Sequence, residues 1–511
     1  MCYISAPHLR SLYWPVKFMT QLPAWLSQLA ALLPPERLLT DPADCYAYAF
    51  DNSRKYVMPQ AVALPLSTEE IAAIMRCCAQ YRVPVTPRGR GTGTAGGSIP
   101  ASAGLVLSLE RMTRIKCIDT ANRFIVAEPG VLNAEVQKVA AANGFFWPPD
   151  PSSSAYCSIG GNLATNAGGP HAVKYGATRD HVLGVQAVTA GGEIIRTGSY
   201  TSKHSVGYDL TRLLIGSEGT LAIITEATLK LSPKPAHVAG VAAHYRDTAG
   251  CAAAIVGIMQ QPFVPAALEF LDAQALGLLR QHYPDMLPGD SAAMLMIEID
   301  GSPADVAACQ QAILDLCHNG SLISAEPIAR PAQLWAARKA LSPLLRDIAP
   351  KKINEDVVVP VSRLPELLAG VERLAAVHGV RNVNFGHAGN GNIHVNLLID
   401  PQDPQQLASG ERCLDRLFDL VIGLQGALSG EHGIGQEKRP FAPPRTGCGN
   451  PGYSAPHQNR TGPGWHSQSW QGIALEPVWL SDPASRMGKA GRVSPAGCLA
   501  RIAHSLNIRI L

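Results

Sequence analysis

Apolar and polar positions follow two rhythms along this chain. In "STEEIAAIMRCCAQYR" (67–82) the apolar residues fall at helical spacing behind a capping box, Ser67 or Thr68 with Glu70, which predicts a helix. "VPVTPR" follows as a strand, then "GLVLSLE" (104–110) and "RFIVAEPG" (123–130). "LNAEVQKVAAANG" (132–144) returns to the helical rhythm and ends at Gly144. "LGVQAVTAGGEIIRT" (183–197) breaks at Gly191-Gly192, which predicts a hairpin, and "TLAIITEATLKL" (220–231) alternates as a β-branched strand. "SPKP" (232–235) marks a boundary. Past it, "AALEFLD", "AMLMIEIDG" and helical patterns near 303–317 and 331–348 predict an α+β second domain. At the other end, "MTQLPAWLSQLAALLPPERLLTD", starting at Met19, opens a helix.

A chain of 511 residues calls for two or three domains. Apolar residues make up 46% and charged residues 16%, as in a well-packed enzyme. The net charge of +3, from 43 basic and 40 acidic residues, argues against nucleic acid or an anionic membrane as partner. No apolar run reaches the roughly 18–20 residues of a membrane span, and the first residues lack the h-region and cleavage site of a secretory signal. Twelve cysteines without a C-x-x-C pair read as reduced thiols, so a cytoplasmic protein is expected.

Two glycine-rich stretches change the picture from a generic α+β enzyme to a ligand binder. "PRGRGTGTAGG" (87–97) holds Gly91-x-Gly93-x-x-Gly96, with Glu110 19 residues after Gly91. A dinucleotide turn must open a helix, and the "GGSIPASAG" that follows cannot be one. What survives is a run of residues without Cβ that can wrap an anion with backbone N–H groups beside Arg88 and Arg90; a flexible turn is the bland reading. "PPDPSSSAYCSIGGNLATNAGGPHAVKYG" (148–176) adds a small-residue surface on which a flat ligand can lie, and "GSEGTLAIITEATLKL" (216–231) adds a third small-residue turn.

"NFGHAGNGNIHVNLL" (384–398) sets His387 and His394 around Asn390-Gly391. A two-residue type I′ turn there would pair Gly389 with Asn392 and His387 with His394, leaving the imidazoles directly opposite. Such a pair can share a divalent ion or be two ordinary sheet-surface histidines. "LSGEHGIGQEK" (428–438) adds Glu431 beside His432 in a glycine-framed turn, which alone reads as a solvated loop. Two histidines and a carboxylate also describe a non-haem iron oxygenase, which would have no use for the glycine loops. No G-x-S-x-G elbow suggests a serine hydrolase.

Across residues 40–441 these motifs together resemble the FAD-linked D-2-hydroxyacid dehydrogenases: D-lactate dehydrogenase, the glycolate oxidase flavin subunit and D-2-hydroxyglutarate dehydrogenase. These belong to the vanillyl-alcohol oxidase and p-cresol methylhydroxylase superfamily. The resemblance implies an α+β fold, a two-subdomain FAD-binding (PCMH-type) domain over 55–233 and an α+β substrate and metal domain over 234–441, behind an N-terminal helical segment, 1–54. It implies that Arg88, Gly89, Arg90, Gly91, Thr92 and Gly93 hold the FAD pyrophosphate. Gly160, Gly161, Asn162, Thr165, Asn166 and Gly168 would line the flavin, with Glu218, Gly219 and Ile223 near the adenine or ribitol end. Some relatives attach FAD to a histidine of the first loop; 87–97 holds none, so non-covalent FAD is expected.

By the same resemblance His387, His394 and Glu431 are ligands of a divalent metal (zinc or manganese), and His432 is the base. Arg338 clamps the substrate carboxylate, while Ser342 and Asn396 add substrate contacts. Asn354 stands where the hydroxyglutarate enzymes resemble one another in carrying lysine, which favours D-lactate or glycolate over a dicarboxylate; D-2-hydroxyglutarate is the alternative. Electrons would pass to a quinone, a cytochrome, an electron-transfer flavoprotein or an iron–sulfur subunit. Such a partner could hold the protein at the inner membrane.

After Phe441 the character shifts: residues 442–511 hold nine glycines, eight prolines, seven basic residues and two acidic ones. The resembling proteins end in a segment like I-K-x-A-L-D-P-x-G-I-L-N-P-G-K. "HQNRTGPGWHSQSWQGI" (457–473) can be assigned codons whose second frame spells I-K-T-A-L-D-P-G-G-I-L-N-P-G-K-A. A frameshift soon after Phe441 is therefore expected, with 442–511 an aberrant, disordered tail. A flavin-binding protein inactivated by that tail is the alternative to a working enzyme.

Overall fold

The computed structural model describes residues 22–283, 289, 291–329, 331–345 and 348–442; the expected tail thus lies outside the described residues but for Ala442, as do the first residues of the N-terminal segment. The N-terminal half holds two larger sheets and a two-stranded ribbon that pairs Phe145–Phe146 with Ser232–Pro233. In the first, Ala61–Ala63, Leu105–Ser108 and Val85–Arg88 run parallel, with Leu38–Leu39 antiparallel at the edge. The second is an antiparallel sheet in the order Ile115–Asp119, Phe124–Ala127, Ala222–Lys230, Val182–Thr189, Ile194–Gly198. The Gly191-Gly192 hairpin forms as predicted, pairing Val188 with Ile194. Ser67 caps the helix Thr68–Tyr81 by accepting the Glu70 N–H. No helix follows the 87–97 loop before the Leu105–Ser108 strand, in keeping with the rejected dinucleotide turn.

The C-terminal half is built on seven antiparallel strands in the order Leu322–Ile328, His237–Tyr245, Ala293–Gly301, Ala267–Asp272, Arg381–His387, Asn392–Ile399, Lys351–Val358. Strand side chains alternate between faces, and the two faces differ sharply in chemistry. Val241, Phe270, Leu295, Ile297, Val357, Ile393, Val395 and Leu397 bury against the helices Thr248–Gln260, Pro303–Cys317, Leu364–His378 and Pro404–Gly423. The opposite face carries Glu269, Glu298, Asp300, Asp356, His387, His394 and Asn396, all buried. On that side the helices Ala273–His282 and Ala332–Leu344 pack over part of the sheet through Leu276, Ala337 and Leu341. No helix among the described residues is long and apolar enough to cross a membrane.

The histidine hairpin differs from the expected register. Asn384 pairs with Val395 and Phe385 with His394, so His394 faces Phe385 and His387 lies diagonally from it, nearer the turn. A type I′ turn needs positive φ at both central residues; Gly391 has φ +73°, but Asn390 does not, and Ala388–Asn390 form a short 3₁₀ turn. The neighbouring strand selects this shape, because the Val359 N–H donates to the Gly391 carbonyl at 3.0 Å. The two imidazoles still lie close, with ring centroids 5.2 Å apart.

Candidate active site

One cleft of about 440 Å³ runs between the two halves and is lined from both. Its first wall is rich in glycine and other small residues. Arg88, Gly89, Arg90, Gly91, Thr92 and Gly93 line it, as do Gly160, Gly161, Asn162 and Thr165, and Glu218, Gly219 and Ile223. Close approach explains the small residues. A Cβ on Gly89 would stand 2.8 Å from the Ser158 Oγ, and one on Gly160 would stand 2.7 Å from the Pro129 Cβ. Ser158 caps the helix Ile159–Thr165, which keeps that backbone in place.

Two residues expected on this wall, Asn166 and Gly168, are not among those that line the cleft. Asn166 closes the same helix in a left-handed conformation (φ +52°), and its side chain accepts the Arg179 N–H at 2.8 Å. Gly168 lies against Glu431, whose Oε2 would be 3.1 Å from an added Cβ. That packing brings the second glycine loop to the candidate metal ligand. Glu218 ties the walls together by accepting the N–H groups of Ile434 and Gly435 at 2.8 and 2.9 Å.

The second wall is made of side chains on the charged sheet face. Strand register sets Asp356, His394 and Phe385 side by side across three strands, with Glu269 beside His387. His387 Nε2 and His394 Nε2 lie 3.5 and 3.7 Å from Glu431 Oε1. One donor atom from each of the three residues falls within 4.8 Å of the others. The other nitrogen of His387, Nδ1, is hydrogen-bonded to the Glu269 carboxylate, which fixes the ring and leaves Nε2 toward Glu431. The donor set and its support thus fit a divalent cation.

The electrostatics follow from burial and pairing. Burial would lower the His387 pKa, but the Glu269 and Glu431 carboxylates outweigh it and push it up to about 10. Burial, with His387 and His432 nearby, holds His394 well below its ordinary value. Glu269 is fully buried, yet the charges of His387 and Arg338 bring it down to about 2.

The Glu431-His432 turn is shaped by a residue that the sequence reading missed. Asp356 Oδ2 accepts three consecutive N–H groups, from Gly430, Glu431 and His432, at 2.9, 2.6 and 2.8 Å. The other oxygen, Oδ1, pairs with buried Lys438 and lies 3.4 Å from His432 Nδ1. His432 stacks on His394, with centroids 5.4 Å apart, and both line the cleft. A signal for Asp356 existed in "NEDVVVP": two acids opening an otherwise apolar strand. Glu269 in "AALEFLD" gave the same sign.

Arg338 is buried at the cleft, its Nε donating to Glu269 at 2.7 Å and its guanidinium 4.5 Å from the centre of the Phe385 ring. Ser342 and Asn354 also line the cleft, and the Ser342 hydroxyl accepts from Lys352 at 2.8 Å. Asn396 is not among the lining residues. It is fully buried behind them, donating its amide to the carbonyls of Val383 and His394.

The described residues thus form a two-half α+β architecture, with a cleft between small-residue loops and a charged sheet face. Residues 59–198 match the family described as "FAD binding domain", and residues 234–447 match "FAD linked oxidases, C-terminal domain". The chain belongs to the FAD-linked oxidase family, and its cofactor is FAD.

The chain is 38% identical over 419 residues to the glycolate oxidase subunit GlcD of Bacillus subtilis, covering 81% of this chain and 89% of that one. It is 34% identical over 426 residues to a D-lactate dehydrogenase of Anaerostipes hadrus, covering 80% and 89%. Against a D-2-hydroxyglutarate dehydrogenase of Xanthomonas citri pv. viticola the identity is 33% over 439 residues, covering 81% and 89%. Among solved structures, p-cresol methylhydroxylase with substrate bound shares the fold at a TM-score of 0.66 and 16% identity, covering 82% of this chain and 91% of that one.

Proposed function

We propose that this protein oxidises a small D-2-hydroxy acid, D-lactate or glycolate, to the 2-oxo acid, using non-covalent FAD and a divalent metal, zinc or manganese. The observation that carries the reading is the shared cleft, in which Arg338, His394, Glu431 and His432 face the small-residue loops. Relatives named for glycolate, D-lactate and D-2-hydroxyglutarate support the substrate class. When bound, FAD supplies a hydride acceptor, and a cation held by His387, His394 and Glu431 supplies Lewis acidity toward the hydroxyl oxygen.

The chain's own residues do the rest. Arg338 binds the substrate carboxylate through its guanidinium, kept in line by Glu269 and the Phe385 ring. His432 takes the hydroxyl proton, in a turn whose backbone Asp356 pins in place. The C2 hydride leaves toward the flavin, so the acid loses one proton and one hydride in total. Asn354 offers no charge for a second carboxylate, which favours short monocarboxylates. No histidine stands in 87–97 to form a covalent flavin link. Reoxidation falls to a quinone, a cytochrome, an electron-transfer flavoprotein or an iron–sulfur subunit, with the enzyme cytoplasmic or held at the inner membrane by that partner.

Anaerobic mixing with D-lactate, glycolate, D-2-hydroxyglutarate and L-lactate in turn tests the reading. D-Lactate or glycolate should bleach the flavin fastest. Bleaching by L-lactate alone contradicts the stereochemistry. A yellow protein that no 2-hydroxy acid bleaches supports the inactive flavin-binding alternative.

A further inference from the structure

A second charged cluster joins the two halves, and neither the cofactor nor the substrate reading uses it. At its centre is His171, in the loop that also carries Gly168. Its Nδ1 lies 2.7 Å from Asp150 Oδ2, and its Nε2 lies 2.9 Å from Glu298 Oε1. An imidazole with a carboxylate at each nitrogen satisfies both only as a double donor, the imidazolium. Burial alone would lower its pKa, but the two carboxylates push it up to about 11.

Glu298 has a second partner. Its other oxygen, Oε2, accepts the indole N–H of Trp335. Trp335 and Arg338 sit three residues apart on the helix Ala332–Leu344, and so on one helix face. Two residues along the same strand face, Asp300 accepts from Lys174 and, at 2.6 Å, from the Tyr175 hydroxyl. The ring of His171 also lies 6.3 Å from that of Trp335. The segment 168–175 therefore touches Glu431 at one end and grips the sheet through Glu298 and Asp300 at the other.

We infer that His171 is a positioning residue: through Glu298 and Trp335 it holds the Arg338 helix against the FAD-binding half, setting substrate affinity without touching substrate. The inference rests on the reading of Arg338 as carboxylate clamp. Asp150 and Glu298 neutralise the imidazolium from opposite halves, so the strap closes only when both halves are docked. Trp335 makes the link directional, because the indole N–H reaches Glu298 only with the helix in one rotation.

The test uses the full-length, FAD-loaded chain in four forms: His171→Gln, Glu298→Gln, the double variant and Trp335→Phe. Hydrogen exchange across residues 332–344 should accelerate about tenfold in His171→Gln, as expected for loss of a charged hydrogen bond. The effect should be smaller in Trp335→Phe, and the Leu364–His378 helix should not change. KM for the 2-hydroxy acid should rise about tenfold with kcat within about threefold. The double variant should be no worse than the worse single one, because one strap is cut either way.

Unchanged exchange over 332–344 overturns the inference, as does a fall in kcat at constant KM, or additive effects in the double variant. If His171→Gln loses its flavin, Trp335→Phe decides, since it removes one donor and keeps the packing. If the wild-type chain oxidises no 2-hydroxy acid, the functional reading fails while the exchange arm still judges the strap.

Discussion

The two walls of the cleft are built on opposite principles. The glycine-rich wall, the FAD wall of the proposed function, relies on small residues at close approaches: Gly89, Gly91 and Gly160 stand where a Cβ would clash, and the Ser158 hydroxyl caps the turn. The sheet wall uses buried charge, and each group is neutralised by a partner far away in sequence. His387 depends on Glu269, and the Glu431-His432 turn depends on Asp356 and Lys438. The first wall should therefore fail by steric intrusion, and the second by loss of a single partner that strands another charge.

Asp356→Asn is the strongest test of that contrast. It leaves Lys438 buried with reduced compensation and weakens three backbone hydrogen bonds to the turn. Breaking a buried pair in this way costs about 3–5 kcal/mol. Urea unfolding should show a loss of this size, and turnover should fall by more than about 100-fold while isolated FAD-loop contacts persist. A variant with wild-type stability would mean that the sheet wall does not depend on its charges.

The FAD wall should respond to one added methyl. Gly160→Ala puts a Cβ against Pro129 and should cost about 1–3 kcal/mol by overpacking, with FAD lost more readily on dialysis. Gly144→Ala is the matched control. Its φ is +81° but nothing lies within 4 Å, so strain alone should cost about 1 kcal/mol, with FAD retained. Equal flavin loss in both variants would remove the steric account of the loop.

The smallest effect concerns pH and the strap between the walls. The pKa of His171 is raised in the folded protein, so its stabilising contribution is complete below its unfolded value near ~6.5. That contribution erodes as pH rises toward about 11. Between pH 6 and 10 the wild-type melting temperature should fall about 2–4 °C more than that of His171→Gln. Parallel curves would show that the imidazolium contributes nothing.

The same contrast explains what the sequence could reveal. The FAD wall was legible because a small-residue loop is local: "PRGRGTGTAGG" and "SIGGNLATNAGG" carry their geometry within a dozen residues. The sheet wall was legible only in part. His387, His394 and Glu431 stood out by residue type, but their arrangement depends on pairing across strands. The two-residue turn was misjudged because Val359, 32 residues upstream of Gly391, supplies a hydrogen bond that reshapes it. Asp356, Glu269, Lys438 and the His171 cluster work mainly through partners about 70 to 130 residues away, with shorter reaches from Lys438 to Leu428, His171 to Asp150 and Trp335 to Glu298, and composition alone does not pair them. Asn396 was placed on the correct strand face, yet its amide serves the backbone behind the cleft.

The central claim is that both walls act on one substrate, with cation and flavin on either side of it. The direct measurement is stopped-flow reduction of bound FAD by D-lactate or glycolate in wild-type protein, in chelator-treated protein and in His394→Ala, with metal content assayed in each. The account predicts about one divalent ion per wild-type chain, and undiminished yellow flavin with reduction slowed by at least about 100-fold in the two metal-poor forms. Reduction at the wild-type rate in protein shown to be free of metal would contradict it.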